Sequence, residues 1–125
     1  MKAAVIYKHG DLSSIQFEDV PDPQISSSEV VVEVQAAALN HLDIWVRKGR
    51  PEMNLLMPHV LGSDAAGIIV ETGSDVQGLN ISDEVLLNPG LSCGHCEACN
   101  RGEQSECSSF GILGLSRPGT FAQRV

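Results

Sequence analysis

Residues 93–107 read Cys93-Gly94-His95-Cys96-Glu97-Ala98-Cys99-Asn100-Arg101-Gly102-Glu103-Gln104-Ser105-Glu106-Cys107, and they hold every cysteine of a 125-residue chain. Two-residue gaps let three thiolates turn back toward one point, and the seven-residue gap returns a fourth from the far side of a small loop. A d10 zinc ion takes such a set at tetrahedral corners. Four protein ligands leave no open position, so one structural zinc per chain is expected, held by Cys93, Cys96, Cys99 and Cys107. Two disulfides are the competing reading, in three connectivities. Residues 1–10 offer Lys2 and the apolar run Ala3 to Ile6, far short of an export signal, so a reducing, cytoplasmic setting is expected. An iron–sulfur run of the bacterial ferredoxin kind begins alike but closes after three residues with Cys-Pro, whereas Cys107 precedes Ser108. His95, between two ligands, belongs on an exposed turn.

The rest of the chain is ordinary in bulk: 42% hydrophobic, enough for one core, and read here as a single domain over 1–125 with the cysteine lobe at about 91–110. Eight basic against sixteen acidic residues give a net charge of −8. That surface disfavours nucleic acid and anionic membrane as partners. No apolar run approaches the length of a membrane-spanning helix.

Outward from the lobe, strand patterns dominate. Residues 2–8 and 13–20 flank the turn signal His9-Gly10-Asp11 and predict a hairpin. Residues 29–39 are valine-rich with Glu29, Glu33 and Gln35 at odd positions, predicting a strand with one wet face. Residues 40–48 change period. Leu42, Trp45 and Val46 share one helical face, and Arg47-Lys48-Gly49 closes the helix. Trp45 is expected in the core, and Met53 and Met57 in a packing loop framed by Pro51 and Pro58. Residues 61–72 predict an apolar strand whose Gly62, Ala65, Ala66 and Gly67 permit a bulge or close backbone approach. Short strands are expected at 84–87 and at the end, 119–125.

The order of these features is specific: a valine-rich strand, a short helix carrying Asp43, Gly62-Ser63-Asp64-Ala65-Ala66-Gly67, an Asp83-Glu84-Val85 run, four cysteines, and Gly119-Thr120-Phe121-Ala122. Across essentially its whole length the chain resembles the N-terminal, GroES-like domain of the medium-chain dehydrogenases/reductases, the alcohol dehydrogenase and quinone oxidoreductase superfamily. The resemblance implies a mainly β, partly open barrel with short helices and a projecting zinc lobe. It also implies an NAD(P)-dependent oxidoreductase, homo-oligomeric when full length. No Gly-x-Gly-x-x-Gly turn occurs here, so the Rossmann cofactor domain is expected outside these residues and the piece alone inactive.

Members of that superfamily with a catalytic zinc carry Cys where this chain has Asn40 and His where it has Ser63. An amide and a neutral hydroxyl are poor zinc ligands. Members lacking that zinc resemble this chain at Asn40, and many are NADPH-dependent quinone or enone reductases. The implied reaction is hydride transfer to a small quinone or α,β-unsaturated carbonyl, with Asn40, His41, Asp43 and Ser63 as polar contacts. Asn40 and Asp43 also spell a capping box, and Ser63 and Asp64 could simply satisfy strand-edge amides. Two alternatives stand beside this reading: an alcohol dehydrogenase with an altered ligand set drawn from His41, Asp43 and Asp64, and a zinc-stabilised interaction module without catalysis. A GroES-type co-chaperonin is disfavoured by the cysteine lobe.

Overall fold

A computed structural model describes residues 1–51 and 53–125. The hairpin forms: β1 (Lys2–Ile6) pairs antiparallel with β2 (Ile15–Asp19), from Lys2 opposite Asp19 to Ile6 opposite Ile15. A 3-10 turn at Leu12–Ser14 joins them, with Asp11 accepting the Ser13 amide as its cap. On the other side of β1 lies β4 (His59–Val60). A second sheet places β5 (Asp64–Thr72) between β3 (Val30–Ala38) and β6 (Glu84–Leu86).

The chain's last residues stitch these sheets together. Ala4 donates its amide to the Phe121 carbonyl at 2.7 Å and the Gln123 amide donates to Lys2. Val34 and Val32 donate in turn to Gln123 and Val125. Residues 121–123 thus serve the first sheet and 123–125 the second, through isolated bridges at Ala122 and Arg124 rather than the regular strand expected over 119–125. The sheets stay open: Val5 and Val60 of one and Val32, Ile69 and Val85 of the other line an apolar space of ≈ 790 Å³. The expected mainly β, partly open architecture is what forms.

Two local readings need correction. The wet face expected of β3 breaks at its start, where Val31 and Val32 are both buried. A register shift falls between them, so consecutive side chains turn to the same side, as a bulge permits. Trp45 is 43% exposed, not core. Its helix, α1 (His41–Lys48), is short and turns only Val46 fully inward, against Ile6 and Leu61. The indole lies outside between the His41 ring, 4.9 Å away, and the Arg50 guanidinium, 4.7 Å above it. Met53 and Met57 do pack against the Ile6 cluster.

Close approach at glycine is met twice near the site. A side chain on Gly67 would collide with the Glu33 carbonyl across the β3–β5 pair. Gly62 has φ +99° and lies under Phe121 and Thr120, so a Cβ there would sit 2.7 Å from the Thr120 hydroxyl. Both hold the start of β5 against its neighbours.

Candidate functional site

The β3–β5 ladder ends on the pair Ala38 and Asp64, and Asn40, the cap of α1, lies two residues beyond Ala38. That rung brings the helix start and the first residue of β5 together. Asn40 has extended backbone, φ −120° and ψ 149°, and its side-chain oxygen accepts the Leu42 amide at 3.0 Å. Asp43 reaches back to accept the Asn40 amide at 2.7 Å, completing a capping box. The remaining end of the Asn40 amide donates to Asp64 at 2.9 Å. Burial is the first cause that raises the Asp43 carboxyl above its ordinary value, with the nearby Asp64 charge adding to it. The Asn40 amide bond pulls the other way.

The predicted polar set therefore divides. Asn40, Asp43 and Asp64 form one connected group, with Asn40 exposed at its mouth. His41 is exposed beside them, its ring turned to Trp45. Ser63 stands apart: it is 1% exposed, and its hydroxyl donates to the Leu113 carbonyl at 2.8 Å. Thr120, also buried, donates to the Asp64 carbonyl at 3.3 Å and pins the strand from behind. Sequence reasoning weighed Asp64 as a metal ligand or a strand-edge acceptor and missed its bond to Asn40. Only the pairing of β3 with β5 carries that signal.

The cysteine lobe is built with little core. A two-residue ladder joins β7 (Gly90–Leu91) to β8 (Gly111–Ile112), and between them lie α2 (Glu97–Asn100) and a 3-10 turn at Gln104–Glu106. All four cysteines are free thiols, and their sulfurs lie within 4.8 Å of one another. Cys93 and Cys99 are 3.9 Å apart, Cys96 and Cys99 3.5 Å. Sulfurs at tetrahedral corners around zinc stand about 3.8 Å apart, and a disulfide brings them to about 2.0 Å. The spacing fits the ion, not the bridge.

Backbone amides already face these sulfurs. Cys96 and Ser109 donate to the sulfurs of Cys93 and Cys107, both at 3.4 Å. A backbone hydrogen bond at His95, then one at Cys96, lower the Cys93 thiol to about 6. Cys96 moves oppositely, to about 11: a Cys99 backbone bond pulls it down, but side-chain bonds with Cys99 and Cys93 and burial outweigh it. His95 is on the exposed turn, bonded to the Cys93 carbonyl at 2.7 Å. Among the described residues these cysteines are the one group of three or more His, Cys, Asp or Glu placed to share an ion; His41, Asp43 and Asp64 do not converge in that way.

An open two-sheet β domain with a four-cysteine lobe and a capped helix facing the first residue of a long strand is the catalytic-side fold of zinc-type dehydrogenases. The chain belongs to the alcohol dehydrogenase GroES-like domain family, whose model matches residues 26–125. It is 32% identical over 130 aligned residues to the NAD-dependent alcohol dehydrogenase of Sulfolobus acidocaldarius, covering 100% of this chain and 37% of that protein. A crystal structure of an NAD-dependent alcohol dehydrogenase superposes with a TM-score of 0.93 at 46% identity, covering all of this chain and 36% of the other. A crotonyl-CoA carboxylase/reductase superposes at 0.91 with 33% identity, over 100% of this chain and 32% of its own. The chain spans about a third of the length of these relatives. Among the described residues no helix is long and apolar enough to cross a membrane.

Proposed function

We propose that this chain is the substrate-side domain of an NAD(P)H-dependent oxidoreductase that reduces a small quinone or α,β-unsaturated carbonyl without a catalytic zinc. The observation that carries the reading is the state of the two positions matching that zinc's ligands. Asn40 is a helix cap bonded to Asp64, and Ser63 is buried with its hydroxyl given to Leu113. Neither group is a free soft donor, and a neutral amide and hydroxyl bind zinc weakly in any case. The crotonyl group named for one structural relative is itself an α,β-unsaturated acyl group, which supports the substrate class.

A bound nicotinamide supplies the hydride. What this chain contributes is a donor for the carbonyl oxygen on which charge gathers as that hydride arrives. Conjugation spreads the charge, so hydrogen bonds suffice where a simple ketone or alcohol needs a Lewis acid. The second N–H of Asn40 is that donor, and His41 is the exposed imidazole nearest to return a proton to the oxygen. Asp43 supports both by fixing the first turn of α1. The four cysteines would hold one structural zinc, which orders the lobe and takes no part in the reaction.

The test is a substrate panel with the full-length protein and both NADH and NADPH. Turnover of a quinone or enone at least tenfold above any oxidation of ethanol is expected. Zinc-dependent oxidation of simple alcohols as the dominant activity overturns the reading.

A further inference from the structure

We infer that Asp64 is a positioning residue that locks the Asn40 side chain with a single N–H left over for the substrate oxygen. The inference rests on the reading of Asn40 given above and deepens it. An asparagine side chain offers one acceptor oxygen and two N–H donors that exchange places when the amide turns over. The capping bond fixes the oxygen, because only that end can accept the Leu42 amide at 3.0 Å. The nitrogen must then face Asp64, and its 2.9 Å contact joins a donor to a carboxylate. Turned over, the amide would set N–H against N–H at Leu42 and oxygen against oxygen at Asp64. Both contacts would become repulsive.

The two bonds act differently. A cap alone leaves the nitrogen end free to swing about the chain, since one bond does not fix a plane. The second, charge-assisted bond fixes the plane and consumes one N–H. The other is left pointing away from both partners, on a residue exposed at the mouth of the group. Asp64 is itself held twice: its backbone pairs with Ala38 on the last β3–β5 rung, and its carbonyl accepts from buried Thr120. A carboxylate on a rigid strand thus orients an amide on a helix start, which is what pre-organised stabilisation of a developing oxyanion requires.

The experiment uses the full-length oxidoreductase with a quinone or enone substrate and four variants. Asn40→Ser keeps a competent helix cap while removing the amide, and is expected to lower kcat about 100-fold, the usual cost of one oxyanion donor. Asp64→Ala is expected to lower kcat about tenfold with KM within twofold. Asp64→Glu, which restores the carboxylate, should return kcat to within threefold of the parent. In the double variant Asn40→Ser with Asp64→Ala, the second change should cost nothing further, because a positioning residue has nothing left to position.

Melting temperatures of all variants accompany these measurements. If Asp64→Ala does not fold, the isosteric Asp64→Asn replaces it, with a several-fold loss in kcat expected. Full kcat in Asp64→Ala, or in Asp64→Asn where that replaces it, alongside a loss in Asn40→Ser, overturns the positioning role while leaving the proposed function standing. Independent, multiplicative losses in the double variant also overturn it. Unchanged kcat in Asn40→Ser instead removes Asn40 as the donor, and the inference falls with it.

Discussion

Replacing Cys107 with Ser separates the lobe from the reaction. Cys107 is the only buried member of its cluster, at 5% exposure, and its sulfur accepts amides from Cys93 at 3.5 Å and Ser109 at 3.4 Å. A serine oxygen is harder and its bond shorter, so it withdraws from the point the other three sulfurs share. Structural zinc binds with roughly 10–16 kcal/mol in small peptides. Losing one ligand of four therefore costs about 3 kcal/mol, roughly a hundredfold in affinity. The lobe adds no other buried hydrophobic residue to the core, so the two sheets should keep their stability. Full-length protein with this substitution should lose the zinc proposed for the lobe to a mild chelator, and amides at 91–110 should exchange faster while those of β3 and β5 stay protected. Stoichiometric zinc retained by the variant, or loss of hydride transfer while lobe amides remain protected, would refute the division between structural metal and chemistry.

Two further changes test the fold itself. Ser26 backbone bonding, and then Arg117, hold the Glu29 carboxyl at about 2, below its ordinary 4.5. A depressed carboxyl stabilises the fold above its unfolded value, so this contribution fades as pH falls from about 4.5 through about 2. After allowance for solvent around the exposed Arg117, it amounts to about 1 kcal/mol, and Glu29→Gln should remove that part of the acid slope in urea titrations. Trp45→Ala should cost less than about 1.5 kcal/mol in the same assay, against roughly 3–5 for a core aromatic. A larger loss would return Trp45 to the core.

What the sequence made legible was local. Cysteine gaps state their own geometry, since the ligand spacing lies along the chain. The capping box at Asn40 and Asp43 and the Gly49 stop lie within ten residues, and α1 forms where they place it. Hairpin and strand followed from alternation over a few positions. Features that depend on distant partners did not show. Val31 and Val32 share a side because β5 shifts register opposite them, and alternation alone predicts otherwise. Trp45 has the spacing of a core residue, but α1 is only two turns long, and Val46 with Leu42 at its side makes the contact with Ile6 and Leu61. Ser63 finds its acceptor 50 residues away, and Asn40 finds Asp64 across 24. A polar residue's type was readable; whether its hydrogen bonds were already spent was not.

That distinction bears on the proposed chemistry. Ser63 has one donor and has given it away, and the Asn40 oxygen and one of its N–H groups are engaged. What remains at the mouth is one amide N–H and the His41 imidazole, set beside the carboxyls of Asp43 and Asp64. Two carboxyls there oppose a concentrated negative charge: the Asp64 charge already helps push Asp43 up. An alkoxide on a simple alcohol would place a full charge on one oxygen in that field. An enolate or hydroquinone anion spreads the same charge over several atoms and asks less of a single donor. The local field and the count of free donors thus favour the same substrate class, on grounds separate from the loss of soft ligands at positions 40 and 63.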